Sequence, residues 1–434
     1  MRFIRQALAL MREEKLYSAM YIAGTALAIA FVMLIAEVYY VKVADISPEV
    51  HRSTTYYLDG MRNKDGEFRS ICHDLYREVF QKMQTPECMT GVLDPTGMRV
   101  TFNIMQADSI HEEAVKGKLT DTGFFRLYQF NFTEGAPFTQ DDFDSGRNMV
   151  VITEEMRDQF FGHGQKAVGQ TLTLNRLSYR ICGVVETPSA LTEKCAADVW
   201  MPYTALPYSI MVDGLVLWYT QVYSDFDMTL TFSVPADKRD AFLQELKTIE
   251  ARYNAVHKDD PVNMTARLQS HYETVWDDIG SVFNAGGNNL FWYVTPAIIL
   301  LLLVPALNLS GMVASRMERR LPEMAIRKSF GAKRCTLLGQ VIMENLVLTL
   351  LGGVVGLCLA WAALYGWRDW VFYVFSDSSN LYDAVPLLKG EMFFGPAVFV
   401  IALLICCVLN VLAAMLPAWL SLRRPIVESM MLKK

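Results

Sequence analysis

Four long apolar stretches constrain the fold of this chain more than any other feature of its sequence. None of them contains a charged residue except the third, which contains Glu344 alone. A helix rises about 1.5 Å per residue, so roughly 20 apolar residues cross the ~30 Å hydrocarbon core of a membrane. We therefore predict four transmembrane helices, within the stretches Ser18–Ala36, Ile279–Ser315, Cys335–Trp367 and Met392–Leu422.

The composition argues against several other classes of protein. Hydrophobic residues make up 52% of the 434 residues, and charged residues make up 20%, below the ~25% of an ordinary soluble domain. This apolar content excludes disorder for most of the chain. The net charge of -6 gives no support to a nucleic-acid interface.

Basic residues predict the orientation of the spans. The segments 1–17, 315–335 and 421–434 together contain 15 basic and 5 acidic residues, whereas the rest of the chain contains 25 basic and 41 acidic residues. Short basic segments next to spans stay in the cytoplasm. Four spans place all three segments on that side, so we expect a multi-pass membrane protein with both termini in the cytoplasm.

The first span is interpreted as a retained signal anchor, because Glu37-Val38-Tyr39-Tyr40 offers no small-residue cleavage site. The predicted order is an interfacial helix at 1–17, span 1 at 18–41, an extracytoplasmic domain at 42–289, span 2 at 290–314, a cytoplasmic loop at 315–335, span 3 at 336–366, an extracytoplasmic loop at 367–392, span 4 at 393–420 and a cytoplasmic tail at 421–434.

The extracytoplasmic domain alternates strand-like and helix-like runs. Its helical runs carry apolar residues three and four apart, which is typical of a helix packed on a sheet. The first β-α-β unit comprises residues 54–58, 72–83 and 99–102, and the second comprises residues 228–232, 242–253 and 262–265. Between them, about 120–205, short strands and turns predominate. We predict an α+β domain with two β-α-β halves and an inserted β-rich subdomain.

The sequence contains no recognisable catalytic or metal-binding constellation. The phosphate-binding pattern GxxxxGK[ST] and the serine pattern GxSxG do not occur, and the six histidines are scattered outside any metal-ligand spacing. We expect no catalytic, cofactor or metal site in this chain. In the oxidising compartment predicted for the extracytoplasmic domain, Cys182 and Cys195 are the first candidate disulfide pair, and Cys72 and Cys88 are the second.

The loop after the second span carries the most specific motif. The motif and the helix after it contain Glu323, Ile326, Arg327, Lys328, Gly331, Ala332, Glu344, Gly352 and Gly353. At these positions the chain resembles the FtsX-like and MacB-like permease family of ABC transporters, in the macrolide-exporter and lipoprotein-releasing branch, and it departs from the family pattern at Pro322, Met324 and Phe330. Two further stretches, 416–428 in the tail region and 124–170 in the outer domain, resemble the same family, so the resemblance covers nearly the whole chain.

The resemblance implies that the loop couples to an ATPase. A short amphipathic helix would offer Met324, Ile326 and Phe330 to a groove on that partner. The remaining residues assigned to this coupling site are Glu323, Arg327, Lys328, Gly331 and Ala332. Polar or small residues inside the spans are assigned to helix packing instead, and these are Asn308, Glu344, Gly352, Gly356 and Asn410.

The resemblance also implies a function. The chain would be a permease subunit in a bacterial inner membrane, paired with a second permease chain, identical or paralogous. Because the first span begins at Ser18, we expect the ATPase, with its ATP and Mg, to be a separate polypeptide. A hydrophobic, peptide or lipoprotein substrate and a periplasmic adaptor are expected. The alternatives are a non-transport regulator of a cell-envelope hydrolase, which the large outer domain disfavours, and a signalling or adhesion protein without an ATPase, which the loop motif disfavours.

Overall fold

The computed structural model divides into an α/β unit and a helical unit. The α/β unit runs from Lys42 to Asp278, and the helical unit is formed by the chain before and after it. The structure describes residues 15–94, 100–106, 109–174, 177–189, 192–205, 209–212, 215–218, 227–282, 310–311, 313–320, 322, 324–375 and 396–423. The second predicted span lies almost wholly outside these residues, as do most of the interfacial helix, the loop 367–392 and the tail.

The helices are α1 Lys15–Val43, α2 His73–Glu78, α3 Phe124–Leu127, α4 Gln140–Asp144, α5 Glu154–Phe161, α6 Arg239–Val256, α7 His271–Val282, α8 Arg334–Phe375 and α9 Pro396–Arg423. The strands are β1 Thr55–Leu58, β2 Met61–Asn63, β3 Phe68–Arg69, β4 Cys88–Asp94, β5 Val100–Gln106, β6 Ser109–Thr120, β7 Phe132–Gly135, β8 Met149–Thr153, β9 Thr171–Leu174, β10 Leu177–Val185, β11 Val199–Pro202, β12 Ser209–Val212, β13 Leu215–Trp218, β14 Asp227–Ser233, β15 Val262–Asn263 and β16 Leu268–Ser270.

Helices α1, α8 and α9 are long and apolar enough to cross a membrane, with mean hydropathies of 2.2, 2.2 and 2.9 over their most apolar windows. They correspond to the first, third and fourth predicted spans. Three such helices are therefore found among the described residues, whereas the count of four spans stays a prediction.

The two β-α-β halves of the α/β unit interleave in one sheet. Strand β14 lies between β1 and β4, and β1 lies between β14 and β16, with every neighbouring pair antiparallel. The order β4-β14-β1-β16, with α2 and α6 as the crossovers, is that of a split β-α-β, ferredoxin-like fold. The strand between β1 and β4 of the first half is thus β14 of the second half, and the strand between β14 and β16 of the second half is β1 of the first half.

This arrangement corrects two predicted strand assignments. The first half is completed by β4 rather than by the strand predicted at 99–102, which belongs to β5 and pairs with β6 and β9. The second half is completed by β16 rather than by the run at 262–265, because β15 pairs with β2 in a separate three-stranded sheet. Strand β9 matches its prediction, and the runs at 179–181 and 183–185 are parts of the single strand β10.

The β-rich part closes on itself. Following the pairings from β6 through β5, β9, β10, β8 and β11 leads back to β6, because β11 pairs with both β8 and β6. A closed ring satisfies the backbone groups that an open sheet would expose at its edges. Its strands carry the buried side chains Leu119, Val150, Leu172, Tyr179 and Trp200, which belong to the main hydrophobic core.

Asp121 reinforces the junction at which β6 of the barrel pairs with β4 of the ferredoxin-like sheet. It follows β6 directly and accepts hydrogen bonds from the Tyr76 hydroxyl at 2.5 Å, the Thr90 hydroxyl at 2.6 Å and the Gly91 amide at 3.1 Å. Burial raises the pKa of Asp121, although these donors oppose that shift. The carboxyl therefore fixes α2 and β4 against the end of β6.

Candidate functional site

The basic segment, which we define as residues 313–332, is mostly helical. Residues 313–320 and 324–329 are helical in the structure, and the helix ends at Gly331. The Gly331 amide donates to the Lys328 carbonyl and the Ala332 amide donates to the Arg327 carbonyl, both at 3.1 Å. Gly331 has φ +91°, so this is the Schellman ending that a glycine provides without strain. Gly331 therefore has a structural role in stopping the helix before α8 begins.

The two faces of the basic segment differ in exposure. Met324 and Ala325 are buried, and Met324 belongs to a cluster with Leu337 and Val341 of α8. Ile326 is 48% exposed and Phe330 is 87% exposed. The expectation that Met324 would be offered to a partner is thus wrong in this structure, because that side chain faces α8. The exposed apolar residues are Ile326 and Phe330, four apart on one face of the helix.

Glu344 connects the basic segment to α8. Its carboxylate is buried and accepts a hydrogen bond from the Arg320 guanidinium at 2.9 Å, with a guanidinium nitrogen of Arg316 at 3.9 Å. The Gln340 amide donates to the other carboxylate oxygen at 3.1 Å and accepts from Arg327 at 3.0 Å. A carboxylate inside a span is costly unless it is paired. Glu344 therefore holds three arginines of the segment, directly or through Gln340, against α8.

A second polar contact joins three helices of the helical unit. The Thr349 hydroxyl on α8 receives a hydrogen bond from the Asn410 amide of α9 at 3.2 Å and lies 3.3 Å from the Tyr21 hydroxyl of α1. Thr349 in turn donates to the Asn345 carbonyl at 2.9 Å. Hydrogen bonds between helices contribute, together with close packing, to helix association in lipid. Asn410, which the sequence assigned to helix packing, lies at this junction.

Glycines of α8 allow close approach of its neighbours. A Cβ added to Gly352 would lie 2.9 Å from Thr25 of α1, and one added to Gly356 would lie 2.6 Å from the Ala26 carbonyl oxygen. Gly353 faces α9, where an added Cβ would lie 2.6 Å from Leu403. Small residues at such contacts let helix backbones pack closely. The pair Gly352 and Gly356 thus lines the contact between α1 and α8.

The predicted disulfide is not formed. Cys182 and Cys195 are both free thiols. The Cys182 thiol donates to the Val150 carbonyl at 3.3 Å, whereas the Cys195 thiol lies 3.5 Å from the Thr192 carbonyl. Each thiol is packed in its own local site, and burial raises the pKa of both. A buried thiol with a raised pKa is a poor nucleophile for disulfide exchange.

Not every predicted site residue can be placed. Glu323 and Asn308 lie outside the described residues. Arg327, Lys328 and Ala332 lie on the basic segment and are partly buried. Sequence reasoning missed Arg320, Gln340, Thr349 and Tyr21, and the available signal was the four-residue spacing between Gln340 and Glu344. Among the described residues, no group of three or more His, Cys, Asp or Glu side chains could hold a metal ion.

Two family models match separate parts of the chain. The MacB-like periplasmic core domain matches residues 18–248, and the FtsX-like permease C-terminal domain matches residues 297–426. The first match covers more than half of the chain and includes most of the α/β unit. The second includes the basic segment, α8 and α9.

Individual proteins are also similar to parts of this chain. The macrolide export ATP-binding/permease protein MacB of Escherichia coli K12 is 22% identical over 240 residues, which are 55% of this chain and 33% of that protein. The chain therefore matches about a third of the length of this relative. The periplasmic region of MacB from Actinobacillus actinomycetemcomitans has a TM-score of 0.36 at 14% identity, covering 50% of this chain and 89% of that one. The extracellular domain of the noncanonic ABC-type transporter YknZ from Gram-positive bacteria has a TM-score of 0.35 at 13% identity, covering 50% and 98%.

Proposed function

The chain belongs to the MacB/FtsX-like family of ABC transporter permeases, and on that premise we propose that it transmits ATP-driven motion of a separate ATPase to its α/β unit. The family and the apolar helices indicate a protein of a bacterial inner membrane. In the proposed arrangement both termini and the basic segment lie in the cytoplasm, and the α/β unit lies in the periplasm.

The observation that carries the proposal is the exposure of Ile326 and Phe330. Ile326 is 48% exposed and Phe330 is 87% exposed, and exposed apolar side chains that adjoin one another mark sites of interaction with a protein or a membrane. Two such residues four apart present one apolar face, which suits a hydrophobic groove on a partner. We propose that this face binds the ATPase.

The opposite side of the basic segment supports transmission rather than docking alone. Arg320 is bound to the buried Glu344 at 2.9 Å, and Met324 packs on Leu337 and Val341. A force applied at Phe330 would therefore reach α8 through both ionic and apolar contacts. From α8 it would pass to α1 and α9 through Thr349 and the glycine contacts.

The partners and the substrate are proposed from the relatives. We propose that ATP and Mg are bound by the ATPase and that this chain pairs with a second permease chain, identical or paralogous. The Escherichia coli relative is named for macrolide export. By analogy, the substrate is proposed to be hydrophobic, peptide-like or a lipoprotein, extracted on the periplasmic side with a periplasmic adaptor.

The docking face can be tested by substitution. Phe330→Asp and Ile326→Asp remove apolar contact area and place a charge in the proposed groove, so each should weaken ATPase binding by roughly 10- to 100-fold. The measurement is the affinity of the purified full chain for the ATPase that co-purifies with it, together with stimulation of ATP hydrolysis. The matched control is Ser329→Asp, which introduces the same charge at the neighbouring exposed position and should leave binding near the wild-type value.

The outcomes separate the candidate functions. Normal binding by Phe330→Asp would exclude this face as the docking contact, whereas equal loss in Ser329→Asp would indicate a general charge effect. Proteins that co-purify with the wild-type chain then distinguish transport from regulation. An ATPase with an envelope adaptor supports export, an ATPase with a cell-envelope hydrolase supports the alternative regulatory role, and the absence of an ATPase excludes both.

A further inference from the structure

The two ends of the α/β unit meet at one histidine. The unit begins at Lys42, where α1 ends, and its last helix, α7, begins at His271. The His271 Nε2 atom lies 2.8 Å from the Lys42 carbonyl oxygen, and its Nδ1 atom lies 3.0 Å from the Tyr57 hydroxyl oxygen on β1. One imidazole therefore joins the segment that enters the unit to the helix that leaves it.

The hydrogen-bond partners determine the protonation of this ring. A backbone carbonyl can only accept, so Nε2 carries the hydrogen that is donated to Lys42. In the neutral ring Nδ1 then accepts from the Tyr57 hydroxyl. Both His271 and Tyr57 are buried, and this arrangement satisfies both ring nitrogens and the hydroxyl within the protein.

Protonation of His271 would disrupt this arrangement. A proton on Nδ1 forces the Tyr57 hydroxyl to accept, and its own hydrogen then loses its partner in a buried site. An unsatisfied buried donor and a new buried charge are both unfavourable. The structure thus favours the neutral ring through geometry as well as through burial.

The charged groups around the ring do not offset this cost. Glu49 is the carboxylate that faces His271, but it is already bound to the Arg52 guanidinium at 2.7 Å and to the Cys195 amide at 3.1 Å. Arg52, on the same segment as Glu49, and Lys194, on another segment, add positive charge, and the Lys194 Nζ atom lies 5.1 Å from the centre of the Tyr57 ring. Burial lowers the pKa of His271 and both cations reinforce that shift, whereas Glu49 and the hydrogen bond to the Lys42 carbonyl oppose it.

Glu49 does not titrate in the same range. Burial alone would raise its pKa, but the Arg52 guanidinium, His271 and the hydrogen bonds from Arg52 and Cys195 hold the pKa below its usual range. The Glu49 carboxylate therefore stays ionised across the ordinary titration range of histidine, about pH 6.5.

We propose that His271 is a pH-sensitive clasp, which holds α7 on the entry segment of the α/β unit when neutral and releases it when protonated. The clasp is a property of the α/β unit alone and requires no ATPase. Because the histidine pKa is lower in the closed clasp than in the open one, the closed state is favoured above the open-state pKa of about 6.5 and loses stability as the pH falls below it.

The clasp predicts a measurable change in hydrogen exchange. If opening exposes His271 to a proton that the closed state excludes, the open population rises roughly tenfold per pH unit below about 6.5. Amide exchange in peptides covering residues 42–58 and 268–282 should therefore increase about tenfold between about pH 7.5 and about pH 5.5, after correction for the chemical exchange rate. The experiment uses the full chain in detergent micelles, followed by mass spectrometry.

Variants assign the response to the proposed residue. His271→Gln keeps one amide donor and one carbonyl acceptor but cannot titrate, so its exchange in these peptides should not change with pH. His163→Gln is the matched control, since His163 is 92% exposed and pairs with Asp158 at the surface, and it should keep the wild-type response. His73, whose pKa burial also lowers, lies in α2 and would affect different peptides.

A second variant keeps the proposal falsifiable if His271→Gln fails to fold. Tyr57→Phe removes only the hydroxyl that favours the neutral ring, so its acid response should be smaller than that of the wild type. A wild-type chain with no acid response in the two peptides would overturn the clasp. An unchanged tenfold response in either His271→Gln or Tyr57→Phe would also overturn it.

Discussion

The α/β unit and the helical unit are stabilised in opposite ways. In the α/β unit large side chains such as Trp200 and Phe232 are fully buried, and the pair formed by Glu49 and Arg52 is buried with them. In the helical unit comparable apolar residues face outward, with Val354 and Leu404 both 59% exposed. Removal of apolar surface from water stabilises the first unit, whereas lipid offers the second no such gain. The helical unit instead depends on small residues and hydrogen bonds between helices.

The largest expected effect tests the buried charges of the α/β unit. Arg52→Met leaves the Glu49 carboxylate buried without its counter-charge, so the free energy of unfolding of this unit should fall by about 3–5 kcal/mol. The measurement is urea-dependent pulse proteolysis of the full chain, followed through fragments of the α/β unit. Arg69→Met is the control, because the pair of Arg69 with Asp260 is about half-exposed and should contribute less than about 1 kcal/mol. Similar losses of unfolding free energy in the two variants would show that the contribution of an ion pair does not depend on its burial.

An intermediate effect tests close packing in the helical unit. Gly356→Leu forces a side chain against the Ala26 carbonyl, where even a Cβ would lie 2.6 Å away, and should cost about 1–3 kcal/mol. The temperature at which the detergent-solubilised chain loses its monodisperse peak measures this cost. Gly366→Leu lies on the same helix, with no described atom within 4 Å of the added Cβ, and should be nearly neutral. Equal tolerance of both substitutions would contradict the proposed contact between α1 and α8.

The smallest expected effect tests the hydrogen bonds between helices. Thr349→Val keeps the side-chain shape but removes the hydroxyl shared by Tyr21 and Asn410, and it should cost about 0.6 kcal/mol, up to about 1.7. The same thermal measurement applies, with Thr336→Val at an exposed position of α8 as the control. A loss as large as that of Arg52→Met would mean that polar contacts in the helical unit are worth as much as buried charges in the α/β unit.

Sequence reasoning predicted the helical unit better than the α/β unit. Long apolar runs are specified locally, so α1, α8 and α9 could be recognised from composition. Strand partners are specified by contacts between distant residues. The run at 99–102 was correctly predicted to be a strand, but it was wrongly placed in the same β-α-β unit as β1. The strands that pair with β1 are β14 and β16, which lie more than 150 residues further along the chain. Strand β4 was missed because Gly91 weakens its strand signal, although Tyr76 and Met228 occupy the space that a side chain would need.

At the candidate site, too, local features could be predicted from the sequence, whereas contacts between distant residues could not. The motif identified Glu344 and Gly331 as special positions, and both have defined structural roles. It did not identify Arg320 as the partner of Glu344, because an ion pair across 24 residues leaves no local pattern. Exposure could not be predicted either, since Met324 and Phe330 are both large apolar residues and only the packing of α8 distinguishes them.

The barrel is inserted between β4 and β14 of the ferredoxin-like sheet, and this position determines how the size of the α/β unit can vary. The chain leaves that sheet at Asp94 and returns to it at Asp227, and these two residues face each other across the ladder between β4 and β14. An ordinary hairpin turn would occupy the same place. The two ends of the barrel insertion are therefore neighbours in one ladder, so its other strands can be exchanged or enlarged without changing the register between β4 and β14, provided that β6 keeps its pairing with β4 at Val92 and Leu93.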